Sequence, residues 1–438
     1  MNGTSVTQRR ADVVVIGAGV IGSAIAFELA RRGRSVTVVD SGPSPGSGST
    51  GASSAIIRFH YSTRDAVLTA WEAAAVWPDL GGHLGLPAGS PVARFFRTGC
   101  LVLDYPGTNR IYVTGLFDTI GVPYEDLTPG EIRDRYSGLD LGDYFPPRPV
   151  DDPDFVNAPQ GELGGYFTPD AGFIDDPALA AVNFMDAASL HGAELRLRTR
   201  VSGILRQAGR VTGVELAGGG SIVSPIVVNA AGPGSRRVNE MAGVLDGMRI
   251  SHRPLRQEVH VTEAPAGFGL ESGTIVTDLD LGTYFRPHLA GTMIAGGTEP
   301  ACDPLEWIDD PDDFDLMPTR GGFERNVYRV ARRLPSVGIP HRPIGLAGLY
   351  DVSDDWVPLY DKTHLEGYYL ACGTSGNQFK NAPMVGIFLA ELIGAADRGQ
   401  DHDVDPIRVR GERTGLDIDL GAFSRLRQRA HTSGTVLG

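Results

Sequence analysis

Short runs of β-branched and aromatic residues recur along the chain, and each runs on into a glycine or an acid. Asp12–Ile16 (DVVVI) leads into Gly17 and Ser35–Val39 (SVTVV) into Asp40. Ile226–Asn229 (IVVN) leads toward Gly232, and Tyr368–Ala371 (YYLA) toward Gly373. Continuous apolar runs of this length predict strands buried on both faces. Between the first two lies an Ala-rich stretch to Arg32, closed by Gly33, which predicts a helix. The order strand, helix, strand near the start of the chain is a βαβ unit and predicts an α/β fold around a parallel sheet. Further helices are predicted over 65–80 and 178–191. The alternating stretches Glu258–Thr262 and Thr292–Ala295 suit antiparallel strands. Residues 140–165, with Pro146, Pro147, Pro149 and Pro153, read as a long loop of the kind that often serves function, here as a candidate lid. The polar stretch 401–438 reads as a tail whose last ten residues are expected to be mobile.

The first strand and helix are joined by GAGVIG, with Gly17, Gly19 and Gly22 in the spacing that binds a dinucleotide. The first glycine makes the tight turn, the second admits a pyrophosphate to the backbone, and the third lets helix and strand pack closely. Val20 and Ile21 open the helix, whose free N–H groups and positive dipole end suit phosphate. Asp40 ends the second strand 18 residues after Gly22, where an acid accepts hydrogen bonds from a ribose diol. An acid there disfavours a 2′-phosphate, which leaves FAD or NAD.

Composition narrows the rest. The 438 residues carry 39 Lys and Arg against 53 Asp and Glu, a net charge of −14, and only two of the cations are lysines, Lys362 and Lys380. Such a chain has no basic tract to neutralise nucleic-acid phosphates or an anionic membrane. If its substrate is an anion, a few cations must be concentrated locally to hold it. Three cysteines without pair-like spacing suit neither a disulfide scaffold nor a zinc site. The first residues lack a secretory cleavage site, and the apolar run Ala382–Ala396, holding Pro383 and Glu391, reads as too short for a bilayer. A cytoplasmic protein is expected.

A second turn resembles a cofactor site. The buried strand 368–371 meets GTSGNQFKN, and a helix begins near Pro383, so N–H groups and a helix dipole converge where they can stabilise an anion.

These segments together, with GSGSTGASSAIIR and VVNAAGPGS, resemble the D-amino-acid oxidase superfamily of FAD enzymes, within it the sarcosine oxidase and dimethylglycine dehydrogenase group. The resemblance spans residues 11–395. It implies a discontinuous Rossmann-like FAD domain over 1–92, 163–243 and 346–400. It also implies a substrate domain with a large mixed or antiparallel sheet over 93–162 and 244–345. The cofactor it implies is FAD, held by GAGVIG, Asp40, Ser41, Ser49, Thr50, Ser53, Ser54, Val201, Ala230, Ala231 and Gly232. The C-terminal turn Gly373, Ser375, Gly376, Asn377, Gln378, Phe379 and Lys380 completes that set. Asn377 and Gln378 stand where a His-Gly pair is common.

By the same resemblance Arg58 and Lys380 bind a substrate carboxylate, while Tyr284 and Tyr350 line the pocket. His60 and Tyr61 follow Arg58, and a loop histidine there reads as structural. The flavin is expected to be non-covalent, since Gly348 and the histidine-free loop Gly46–Ser54 offer no attachment residue. The family's oxygen-activating lysine would fall near Ile294–Ala295, where none exists. The expected function is oxidation of the C–N bond of an amino acid or N-substituted amino acid to an imine, with oxygen as acceptor. A dehydrogenase or oxidase-complex subunit using another acceptor is the alternative. Substrate identity and oligomeric state are not legible.

Overall fold

The structure is a computed structural model that describes residues 9–107 and 110–438; the first eight residues, on which the absence of a signal was read, and positions 108 and 109 lie outside it. Its central sheet has six strands in the order Glu194–Arg196, Val36–Val39, Val13–Ile16, Ile226–Asn229, Tyr368–Cys372, Leu359–Lys362. The first five run parallel and the last antiparallel. All four runs singled out for apolar content are here, and Val13–Ile16, Val36–Val39, Ile226–Asn229 and Tyr368–Cys372 are buried throughout. The register pairs Ile16 with Val39 on one side and with Asn229 on the other. Gly17, Asp40 and Ala230 therefore leave the sheet side by side. Successive connections from Val13–Ile16 go to opposite sides, which makes this edge the topological switch point where open α/β sheets bind ligands.

Helix Val20–Arg31 follows the first strand and packs against Pro177–Leu190 and Ala382–Asp397. With its leading turn, the last of these spans 19 residues, Phe379–Asp397, long and apolar enough by composition to cross a bilayer, which corrects the shorter run read from sequence. Most of that stretch is buried inside the protein, so it forms the core of the fold. The helix expected over 65–80 is broken: it runs Arg64–Ala73, then a 3-10 turn begins at Trp77, because Pro78 has no N–H to continue an α-helix.

The second large sheet has nine strands and is antiparallel except where Ile275–Asp278 meets Cys100–Leu103. Its longest member, His252–Glu263, pairs with Thr292–Gly297 on one edge and with Gly345–Ser353 on the other. The mixed architecture agrees with the α/β expectation. Gly165–Thr168 and Gly345–Ser353 both belong to this sheet, whereas a division at 163 and 346 assigns them to the nucleotide half.

Two expectations are overturned. The loop 140–165 is tied down rather than lid-like. Arg333 donates to Asp140 O (2.7 Å) and Gly142 O (2.9 Å), and Arg329 to Arg148 O (3.0 Å), while no residue of the loop lines the main cavity. The tail is also fixed. Two of its arginines reach buried acids, Arg425 pairing with Asp361 (3.0 Å) as well as with the less buried Asp403 (2.8 Å), and Arg427 with Asp355 (2.7 Å). Val436 and Leu437 then pack on Leu255, Val352 and Trp356.

Arg333 also pairs with Asp278 (2.6 Å) and Asp280 (2.7 Å), all three fully buried. Removing one partner of such a cluster strands the others in low dielectric. Arg333→Met is expected to lower unfolding stability by roughly 3–5 kcal/mol. A urea-denaturation midpoint equal to that of the parent would contradict this.

Candidate active site

At the sheet edge the glycines are dictated by space. Gly17 takes φ +108°, and a Cβ on Gly22 would lie 1.9 Å from Gly17 O. The helix starts at Gly19 with no side-chain cap; Thr50 Oγ1 accepts from Val20 N–H at 3.1 Å. Asp40 accepts from Ala18 N–H and Gly42 N–H, each at 2.6 Å, which fixes its carboxylate at the mouth of the turn.

A cavity of about 1050 Å³ extends from this edge toward the second sheet. It is larger than an ordinary small-ligand pocket of roughly 300–1,000 Å³ and suits an extended dinucleotide with a small second ligand. Gly17, Gly19, Val20, Ile21, Asp40 and Ser41 line one end, followed by the segment 46–56 with Ser49, Thr50, Ser53 and Ser54. Val201 and Ala230–Gly232 form a wall, and Gly376–Lys380 the far end. Gly22, Gly373 and Ser375 do not line it. Gly22 packs on Gly17, while Gly373 and Ser375 donate their N–H groups to Asp351, at Oδ2 (2.6 Å) and the main-chain carbonyl (2.7 Å).

The far end holds two cations. Arg58 and Lys380 are 6% and 3% exposed. Lys380 Nζ donates to Asn377 O at 2.7 Å, and Arg58 donates to the carbonyls of His60, Val436 (2.7 Å) and Leu437 (3.4 Å). Among the described residues neither meets a carboxylate within ion-pair distance. Both pack on the Tyr61 ring, whose centroid lies 5.1 Å from the Arg58 guanidinium carbon and 4.9 Å from Lys380 Nζ. Its hydroxyl is fixed by donation to Asn377 O at 2.6 Å. Burial, with Arg58 adding to it, holds the Lys380 ammonium well below the usual lysine range. His60 is buried on Tyr166 and, through burial and then Arg58, has its pKa lowered to about 3, so it stays neutral and structural.

The aromatic residues come from the second sheet. Tyr284 shares a 2.7 Å hydrogen bond with Ser54. Tyr350 lies under the C-terminal turn, where a Cβ on Gly376 would come within 2.5 Å of its ring. Burial pushes both phenols up, so both are neutral. Gln378 Oε1 accepts from Tyr360 OH (3.0 Å) and Asn381 (2.7 Å), tying that side chain into the fold.

Several residues escaped the sequence reading. Tyr61 braces both cations. Beneath the turn, His252 Nδ1 meets Asp351 at 2.6 Å, and Asp351 in turn holds the Gly373 N–H. Burial opposes the His252 charge, but Asp351 and Cys372 raise its pKa well above 6.5, making an ion pair that fixes the turn. Cys372 completes a buried His/Asp/Cys group within 4.8 Å, yet both Asp351 oxygens and His252 Nδ1 are already engaged, which suits bracing better than a metal. Only the acid at 351, one residue beyond Tyr350, hinted at it.

The glycine cradle, a helix start whose N-cap Gly19 offers no side chain, and the buried Asn377 Nδ2, which has no hydrogen-bond partner among the described residues, fit a dinucleotide with a polar ring system. Residues 12–392 match the model of the DAO family, FAD dependent oxidoreductase. The chain belongs to this family. It is an FAD-dependent oxidoreductase of a group acting on amino acids and amines. Glycine oxidase from Geobacillus kaustophilus is 25% identical over 393 residues, covering 88% of this chain and 93% of its own. Sarcosine oxidase subunit beta from Rhodobacter capsulatus is 25% identical over 397 residues, covering 88% and 85%. Among solved structures, L-proline dehydrogenase from P. horikoshii aligns with a TM-score of 0.73 at 26% identity over 90% of this chain and 95% of its own.

Gly22→Val is expected to yield protein without bound flavin, read from the visible-to-protein absorbance ratio; a normally coloured variant would contradict the cradle. The lowered Lys380 pKa sets a pH dependence. An anion favours the charged lysine, so affinity is full below the free lysine's pKa and lost as pH rises through it. Binding of a simple carboxylate is therefore expected to weaken toward alkaline pH well before an ordinary lysine titrates. The same titration in Lys380→Met should be flat, and matching profiles would contradict the assignment.

Proposed function

We propose that this DAO-family oxidoreductase oxidises the C–N bond of a small carboxylate-bearing amine, an amino acid or N-substituted amino acid, with oxygen as the acceptor. The observation that carries the reading is the pair of buried cations whose hydrogen-bond partners, among the described residues, are main-chain carbonyls. Uncompensated charge of this kind is costly, and a substrate carboxylate supplies the missing anion through charge-assisted hydrogen bonds.

FAD, held without a covalent link, supplies hydride acceptance from the carbon next to nitrogen, giving an imine that water hydrolyses. The chain's own part is to bind and orient. Arg58 and Lys380 fix the carboxylate, and the Tyr61 ring stabilises both cations by cation–π contact. Tyr284 and Tyr350, both neutral, form the surface toward the reacting carbon. No dedicated base is required of the protein.

A second reading is favoured by one observation. Strand Thr292–Gly297 carries no lysine at Ile294–Ala295, and the nearest cation across the ladder is Arg286, opposite Ile294. Arg286 is buried and donates to Ser54 O at 2.9 Å. The enzyme would then be a dehydrogenase with a non-oxygen acceptor. Stopped-flow reoxidation of the reduced enzyme in air separates the two: rapid recovery of the flavin colour supports the oxidase, and recovery slower than turnover with an artificial acceptor supports the dehydrogenase.

Each charge-assisted contact is worth roughly 1.5–3 kcal/mol. Arg58→Ala and Lys380→Met are each expected to raise KM about tenfold or more for a substrate found by anaerobic flavin bleaching. Unchanged KM in both variants would reject the carboxylate site, and a broad amine panel that bleaches nothing would reject the oxidoreductase reading.

A further inference from the structure

Glu299 is a buried acid that shares the Val436 main chain with Arg58. It follows strand Thr292–Gly297 with φ +52°, a left-handed conformation that is uncommon outside glycine and is kept where surrounding structure requires it. Its Oε2 accepts from Val436 N–H at 2.9 Å. Its Oε1 is shielded from solvent and has no hydrogen-bond partner among the described residues. Burial pushes the carboxyl up to about 8, and Arg58 pulls the other way, which places the acid within electrostatic reach of the guanidinium. Glu299 is not itself part of the cavity lining; Val436, whose N–H it holds, is, so the acid lies directly behind that piece of the chamber wall.

Val436 is gripped at both ends of its main chain. Glu299 takes its N–H, and Arg58 Nη2 donates to its C=O at 2.7 Å. The two contacts span one N–Cα–C=O unit, the polar skeleton of an α-amino acid. The Val436 side chain meanwhile lies in an apolar cluster with Leu255, Val352 and Trp356. A peptide group offers this grip only a neutral donor and a neutral acceptor. A free amino acid offers an amine to the acid and a carboxylate to the guanidinium, and ionised partners make hydrogen bonds about twice as strong. A β- or γ-amino acid places one or two more carbons between its ends and does not match the span.

We propose that Glu299 recognises the amino group of the substrate, that Glu299 and Arg58 together select α-amino acids with aliphatic side chains, and that the Val436 main chain holds this place until such a ligand displaces it. The inference rests on the carboxylate reading of Arg58 given above and adds the amine end to it. Glu299 is thereby a specificity-determining residue, and residues 435–438 are a built-in surrogate for the substrate.

The test separates recognition from turnover by rapid anaerobic mixing of the flavin-loaded enzyme. The fast perturbation of the visible band gives Kd, and the slower bleaching gives the chemistry. The probes are valine in either enantiomer, β-aminobutyrate, and isovalerate, which keeps the carboxylate and lacks the amine. Glu299→Gln keeps an acceptor for Val436 N–H but cannot ionise opposite an ammonium group. It is expected to weaken valine about tenfold or more and to leave isovalerate within about twofold. Val436→Pro removes the surrogate's N–H and is expected to tighten valine, the opposite sign. Equal losses for valine and isovalerate in Glu299→Gln, or weaker valine binding in both variants, would show that Glu299 only anchors the segment and would overturn the proposal. So would a parent enzyme that binds neither valine enantiomer better than β-aminobutyrate. If valine binds as expected and no amine bleaches the flavin, the oxidoreductase reading fails while the amino-acid clamp stands.

Discussion

Arg58 and Lys380, buried against the Tyr61 ring with main-chain carbonyls as their hydrogen-bond partners, are the constraint around which the active site is organised. A cation taken out of water loses several kcal/mol of hydration, and neutral carbonyls restore only part of it. The fold keeps both cations in place because neither is free to turn outward. Lys380 sits in a 3-10 turn at the head of a core helix, its own carbonyl bound by the Trp77 indole at 2.8 Å. Arg58 follows the short strand Ile56–Ile57 and is clasped by the carbonyl of His60, two residues on, and by those of Val436 and Leu437 near the end of the chain. A site assembled in this way is poised for an anion before one arrives, which is the electrostatic preorganisation that binding and catalysis both exploit.

The two sheets divide the labour. The six-stranded sheet aligns Gly17, Asp40 and Ala230 at its switch point, where N–H groups and a helix dipole suit a pyrophosphate. The nine-stranded sheet delivers Tyr284 and Tyr350 to the opposite wall, with Glu299 behind it, held on Val436. They are coupled through the Asp351–His252 pair, in which an acid on one sheet holds the Gly373 N–H on the other. The C-terminal turn is thus set by both halves at once. That accounts for a charged pair buried in a region that composition alone would fill with apolar residues.

Much of the nucleotide end was legible because its residues answer to local geometry. DVVVI, SVTVV, IVVN and YYLA are strands whose apolar content reports burial on both faces, and GAGVIG is demanded by the contact of Gly22 with Gly17. Arg58 and Lys380 stood out by resemblance and by the scarcity of lysine. What stayed hidden depends on contacts between distant segments. Tyr61 is unremarkable in sequence and matters only because Lys380, more than three hundred residues away, folds onto it. Glu299 looks like any loop acid until Val436 is seen to reach it. The tail looked polar and mobile because the acids that hold Arg425 and Arg427, Asp361 and Asp355, lie far upstream and are buried. The loop 140–165 looked like a lid because its prolines hid the carbonyls that Arg329 and Arg333 bind.

The claim that two unpaired cations define this site is tested most directly by a matched pair of ligands, isovalerate and its neutral isostere isovaleramide, titrated into the flavin-loaded enzyme and followed by the visible band. The two differ in charge and hardly in shape. With contacts worth roughly 1.5–3 kcal/mol each, the carboxylate is expected to bind at least about a hundredfold more tightly. Equal affinity for acid and amide would contradict the account.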